Sequence, residues 1–113
     1  MSFFSKFLKT ETNIKSVSAL ALQQLIENKD CPQLLDVRTS REFKQQHIAK
    51  ALNIDVFSAD FEQKCQSKFN LSEPILLYCR SGQRSMNAAR KLEKIGFKDI
   101  YNLKGGMIAW SRI

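Results

Sequence analysis

The sequence predicts an α/β sandwich with a mostly parallel central sheet flanked by helices. Three observations carry this. Short apolar runs suited to buried strands alternate with segments whose apolar residues recur at helical spacing. Proline and glycine stand where helices have to stop, at Pro32 and Gly96. Two chemically rich segments, Asp36-Val37-Arg38 and Cys79, fall at the carboxyl ends of strand-like runs, where open α/β sheets bind ligands.

Residues 14–17 read as a short strand, and Ser18 is a good N-cap for a helix over residues 19–28. Its apolar stripe is Leu22, Leu25 and Ile26. Asp30-Cys31-Pro32 ends it, because proline disfavours helical geometry in the residue before it. Residues 34–37 form the next buried strand, running into Arg38-Thr39-Ser40. Ser40 is placed to cap a short helix over residues 41–46, and residues 51–54 suggest a third strand. Phe57, Phe61, Cys65 and Phe69 recur every four residues, one face of a helix over about 58–68, which puts Cys65 in the core. Residues 74–78 are an apolar run ending on Cys79, and from Gln83 the spacing becomes helical. Ser85, Ala88, Ala89, Leu92 and Ile95 make its stripe, with Gly96 at the left-handed C-cap position. Residues 99–103 give a last strand, Gly105-Gly106 a turn, and residues 107–113 a terminal helical turn or two. No internal repeat, linker or low-complexity segment interrupts the series.

A chain of 113 residues suits one domain with one core. No run approaches the roughly 20 apolar residues of a membrane span. Near the N-terminus, Phe3, Phe4, Phe7 and Leu8 are interrupted by lysines and lack a small-residue cleavage site, which makes a poor signal peptide. A short amphipathic helix or tail that packs on the domain or on a partner fits better. Cys31, Cys65 and Cys79 are an odd count without CxxC spacing, which argues against a disulfide framework and against zinc, and suits a reducing, cytoplasmic compartment. The formal charge is +7, and residues 80–98 hold six cations against the single carboxylate of Glu93. Aromatic residues are not interleaved with this basic run as base-stacking platforms would be, so nucleic acid is not the expected partner. A small anion steered to the loop is the simpler inference.

The stretch Leu77-Tyr78-Cys79-Arg80-Ser81-Gly82-Gln83-Arg84-Ser85 delivers a thiol from a strand into a tight loop that opens a helix. Loop amides and the helix N-terminus supply partial positive charge, which favours a bound anion and the thiolate over the thiol. A cysteine that merely ends a core strand needs neither the adjacent arginines nor the glycine three residues on.

Four segments follow in order: Leu35-Asp36-Val37-Arg38 with Glu42-Phe43; His47-Ile48 with Ala51-Leu52-Asn53-Ile54; the Cys79 to Ser85 loop; and Gly105-Gly106-Met107-Ile108-Ala109-Trp110. Together they resemble the single-domain rhodaneses, or thiosulfate sulfurtransferases. The resemblance runs from about residue 14 to residue 113 and implies a rhodanese-like three-layer sandwich, preceded by an extension over residues 1–13. It departs at Gln46 and Lys50, where the family usually has glycines flanking its His-Ile segment.

The resemblance implies sulfur transfer without cofactor or metal. Cys79 would be the catalytic nucleophile, taking the sulfane sulfur of a donor such as thiosulfate as a persulfide and passing it to cyanide or a thiol. A protein acceptor remains open. The amides of Arg80, Ser81, Gly82, Gln83, Arg84 and Ser85 would cradle that sulfur, with Gly82 free to adopt positive φ. Arg80 and Arg84 are placed for a dianionic donor, and Ser81 and Ser85 offer hydroxyls. Asp36 and Arg38 would support the site by tying loops together, direct contact of Arg38 with the donor being the lesser expectation. His47 belongs to a turn, since a preformed thiolate needs no base.

Rival readings exist. The nearest enzyme rival is a phosphatase or arsenate reductase of the same fold, and dual-specificity phosphatases related to rhodaneses place five residues between cysteine and arginine, where this chain places four, Arg80 to Gln83. A purely binding module of the same fold commonly lacks the cysteine. A carrier that hands sulfur to a partner protein is not separable from an enzyme by sequence. The four-residue spacing should make the ring of amides too small for a phosphate oxyanion, because such stabilisation needs donors within about 3 Å of the developing charge. The unaltered protein should therefore turn over thiosulfate and show no measurable hydrolysis of aryl phosphates when both are assayed at equal enzyme concentration.

Overall fold

The structure, a computed structural model, describes residues 13–113. Phe3, Phe4, Phe7 and Leu8 lie outside the described residues. Five strands, β1 (Lys15–Val17), β2 (Gln33–Asp36), β3 (Leu52–Asn53), β4 (Ile75–Tyr78) and β5 (Ile100–Leu103), form one sheet in the order β1-β5-β4-β2-β3. Every neighbouring pair is parallel, with Leu35 opposite Leu77 and Leu77 opposite Asn102. The helices are α1 (Ala19–Glu27), α2 (Ser40–Gln45), α3 (Phe61–Lys68), α4 (Gln83–Lys94) and α5 (Gly106–Trp110). None among the described residues is long and apolar enough to cross a membrane.

Side-chain alternation along the strands splits the core in two. Leu35, Val37, Ile75, Leu77 and Cys79 point to the face covered by α3 and α4, where Phe61, Cys65, Ala88, Ala89 and Leu92 meet them. Leu34, Leu76, Tyr78 and Leu103 point to the opposite face, against Ala19 and Leu22 of α1, Ile48, and Met107 of α5. With both faces covered, strands β2 and β4 carry apolar residues on each side, as a parallel sheet requires.

The predicted elements are all present, and three local details differ. Thr39 rather than Ser40 caps α2, because Glu42 stands three residues after it and completes a reciprocal capping box. Phe57 does not join the Phe61–Cys65–Phe69 face. Asp55 folds its own turn, accepting from Phe57 N through Oδ1 at 2.9 Å and from Ser58 N at 3.0 Å, so α3 starts later and Phe57 is 72% exposed. Ile26 lies off the buried stripe of α1, which runs instead through Ala19, Leu22 and the half-buried Leu25. Lys50, one of the two departures from the family pattern, takes φ 73°, the left-handed conformation a glycine would adopt there. That conformation costs a side-chain-bearing residue roughly 1–2 kcal/mol.

The carboxyl ends of β2, β4 and β5 open together at one rim of the sheet. The loop after β2 is braced from within. Asp36 is fully buried and takes the Arg38 guanidinium at 2.6 Å, and Arg38 also donates to Gln46 O at 2.6 Å. Asn53 Nδ2 donates to the carbonyls of both Asp36 and Arg38, at 3.0 and 2.9 Å. The guanidinium of Arg38 lies 5.6 Å from the Tyr78 ring.

Candidate active site

Cys79 follows β4 directly and is 1% exposed. The chain turns back at Gly82, whose φ of 121° is closed to most side chains, and enters α4 at Gln83. This turn aims the Gly82 amide at Cys79 Sγ, 3.0 Å away, and brings Ser85 Oγ to 3.3 Å. Burial is the largest single influence on the thiol and pushes it up. The Ser85 hydroxyl and the amides of Ser85, Gly82 and Ser81 together outweigh it and hold the thiol below its ordinary value. Cys65 is the contrast within the same core: burial, helped by Glu62, pushes its thiol up to about 12.

The loop takes this shape because its carbonyls are held on the other side. Met107 N donates to Cys79 O at 2.9 Å and Ile108 N to Arg80 O at 3.1 Å, so the backbone of α5 pins two consecutive peptide units with their oxygens turned from the sulfur. That contact demands a bare α-carbon at Gly106. A Cβ there would strike the carbonyl of Cys79 and lie 2.6 Å from that of Arg80.

The two arginines of the loop have different surroundings. Arg84 reaches across to α2 and forms a two-pronged pair with Glu42, at 2.8 and 2.9 Å. The Arg84 hydrogen bond pulls the Glu42 carboxyl down to about 2, against an opposing push from burial, so the pair stays ionised throughout the neutral range. Arg80 is exposed, and no carboxylate among the described residues lies within ion-pairing distance of it. It borders a cleft of about 330 Å³ between α2 and α5, which Arg38, Glu42, Met107 and Ile108 also line. Gln83 and Ser81 are exposed, and of the two it is Ser81 that acts on the thiol, through its backbone amide. His47 stacks on Phe43 with ring centroids 3.7 Å apart and donates from Nδ1 to Phe43 O at 2.7 Å, away from the thiol. Cys31 is exposed near the amino end of β2, at the opposite rim of the sheet.

Three residues of the site escape a local reading of the sequence. Glu42 holds Arg84, Gly106 admits the loop, and Asn102 is buried beneath it, 2.5 Å from Ser85 Oγ. Glu42 and Gly106 stand in the sequence as part of a family segment and as a turn residue, without a sign of these contacts, whereas Asn102 leaves a signal of its own: a polar side chain two residues after Ile100 at an inward position of a buried strand.

The family described as Rhodanese-like domain matches residues 18–113. The thiosulfate sulfurtransferase GlpE of Coxiella burnetii is 32% identical over 96 residues, covering 85% of this chain and 86% of that protein. The putative sulfurtransferase YtwF of Bacillus subtilis is 37% identical over 97 residues, covering 86% and 90%. The crystal structure of a rhodanese-like domain protein from Staphylococcus aureus superposes with a TM-score of 0.76 at 31% identity, covering 86% of this chain and 91% of that one.

The amide cradle makes a direct prediction. Alkylation of Cys79 by iodoacetamide should follow a pH midpoint below the roughly 8.5 of a free thiol and be slowed by sulfite or thiosulfate. Cys65 should stay unmodified until the protein is unfolded. A Cys79 midpoint at or above that of a free thiol would show that the loop does not stabilise the anion.

Proposed function

The chain belongs to the rhodanese-like family, and on that premise we propose that it is a sulfurtransferase that carries sulfane sulfur on Cys79. The observation that supports this most is the placement of Cys79 Sγ, 1% exposed, with the Gly82 amide at 3.0 Å and Ser85 Oγ at 3.3 Å, where the Ser85 hydroxyl and the loop amides outweigh burial and hold the thiol below its ordinary value. The names borne by GlpE and YtwF agree with it.

In the proposed cycle the Cys79 thiolate attacks the outer sulfur of thiosulfate. An Sγ–S bond forms, the S–S bond of the donor breaks, and sulfite leaves with its electron pair. The negative charge of the persulfide rests on the outer sulfur, which the amides of the Arg80 to Ser85 loop surround. Cyanide or a second thiolate then attacks that sulfur, the Sγ–S bond breaks, and the electron pair returns to Sγ. No base is needed once the thiolate exists, which fits a His47 whose Nδ1 is engaged by Phe43 O and whose ring stacks on Phe43. The transfer is covalent catalysis in two easier steps. Asp36 and Arg38 act through the loop after β2, keeping it rigid beside the site. A reducing compartment such as the cytoplasm suits a working thiolate.

Thiosulfate incubation followed by intact-mass measurement tests this reading. One added sulfur, removable by cyanide, is expected on the unaltered protein and on Cys31→Ser and Cys65→Ser, but not on Cys79→Ser. Retention of substantial thiosulfate:cyanide activity by Cys79→Ser would overturn the nucleophile assignment.

The arginines divide the work of receiving the dianion. Arg80, exposed and unpaired among the described residues, attracts the donor, whereas Arg84 adds charge while tied to Glu42. A charge-assisted contact is worth roughly 1.5–3 kcal/mol, so Arg80→Ala should raise KM for thiosulfate about ten-fold or more and leave a neutral persulfide donor little affected. Arg84→Ala should raise KM for thiosulfate too, and also lower the thermal unfolding midpoint, because Glu42 loses its partner. Equal effects on charged and neutral donors would assign both arginines to loop structure alone.

A further inference from the structure

Strand β5 turns Asn102 toward the face covered by α4, opposite Leu77 in register and only 6% exposed. Its amide is fully oriented by its neighbours. Nδ2 donates to Gly82 O at 3.3 Å, which leaves Oδ1 facing Ser85 Oγ at 2.5 Å, where it can only accept. Ser85 Oγ also lies 3.2 Å from Gly82 O and 3.3 Å from Cys79 Sγ. One hydroxyl proton thus stands among three acceptors, and the nearest of them is Asn102, not the sulfur.

We propose that Asn102 is a positioning residue for Cys79, whose side-chain oxygen competes with Sγ for the Ser85 hydroxyl proton. In the thiol form, S–H donates to Ser85 Oγ and the hydroxyl donates to Asn102 Oδ1. On ionisation the thiol proton leaves to solvent, and the hydroxyl swings onto the thiolate without breaking its O–H bond. When Sγ bonds to a second sulfur, the charge moves outward to the amide cradle, Sγ becomes a poor acceptor, and the hydroxyl returns to Asn102. A thiolate must surrender a hydrogen bond in order to attack. An acceptor waiting 2.5 Å from the donor lowers the cost of that surrender. Meanwhile Nδ2 holds the Gly82 carbonyl, keeping that residue's peptide units in register with the sulfur.

The charged groups around the thiol leave this exchange to the three side chains. Arg84 enters from α4, paired with Glu42 of α2 and facing Asp55 from the turn before α3. Asp36 and Arg38, in the loop after β2, bind each other. None of them bonds Ser85. The persulfide arm of the proposal rests on the sulfur-transfer reading; the thiol and thiolate arms do not.

The unaltered protein, labelled with ¹³C at asparagine, tests it by NMR. The Cγ resonance of Asn102 should move through the pH midpoint found for Cys79 alkylation, as its carbonyl loses the hydroxyl, and should return towards its low-pH position on loading with thiosulfate. In Ser85→Ala, where the charge still forms but no hydroxyl swings, that movement should be largely lost. A resonance that does not move in the unaltered protein, or moves equally in Ser85→Ala, overturns the proposal. A second arm replaces Asn102 by leucine in both backgrounds. Asn102→Leu should lower the Cys79 alkylation midpoint when Ser85 is present and not when it is alanine, and equal shifts overturn the coupling. If the titration behaves as expected while thiosulfate adds no sulfur, the sulfur-transfer reading falls and the Asn102 assignment stands.

Discussion

A sulfur anion at 1% exposure is tolerable only where fixed donors replace the water it has lost. Everything around Cys79 answers that constraint. The donors are mostly backbone N–H groups, which have no rotamers to lose and point wherever the peptide planes are held. Holding the planes is therefore the structural task, and it falls to groups on the far side of the loop. Met107 N and Ile108 N take the carbonyls of Cys79 and Arg80, and Asn102 takes that of Gly82. The electrostatics facing the sulfur are the other side of the hydrogen bonding behind it.

The scaffold makes such placement stable. Cys79 leaves the sheet beside two neighbours, β2 and β5, whose own ends carry the Asp36–Arg38 pair and Asn102. The parallel register brings these groups to one rim. Two separately packed faces, one under α3 and α4 and the other under α1 and α5, keep that rim from shifting. Tyr78 links the two sides of the problem. Its ring fills the α1/α5 face, and its hydroxyl accepts from Ile48 N at 3.0 Å, anchoring the turn that leads into β3.

How much of this could be read from the sequence depended on range. Strands, helices and the Cys79 loop are written in neighbouring residues, and their periodicity and turn chemistry are local. Where a stronger local rule competed, the reading slipped by a few positions. Asp55 folded back on Phe57, and the Thr39–Glu42 spacing overrode Ser40 as a cap. Lys50 adopts a glycine-like conformation because the turn imposes it, which no propensity would suggest. The hidden parts of the site were the partners brought in by the fold: Glu42 meets Arg84 from 42 residues away, and Asn102 meets Ser85 from 17. Gly106 stood in view as a turn residue, but its role as the wall of the loop required knowing what lay against it.

The clamp made by α5 has a consequence for biosynthesis. The peptide planes of Cys79 and Arg80 are set by amides of Met107 and Ile108, in a helix that leaves the ribosome after the loop it holds. A nascent chain can assemble β2, β4 and α4 before those amides exist, and its cysteine is then an ordinary thiol beside an unfixed loop. The backbone geometry around Cys79 is complete only once α5 has docked on the loop. The shape of the loop is thereby tied to the docking of α5, and a chain in which that helix is not in place leaves the carbonyls of Cys79 and Arg80 without the amides that hold them.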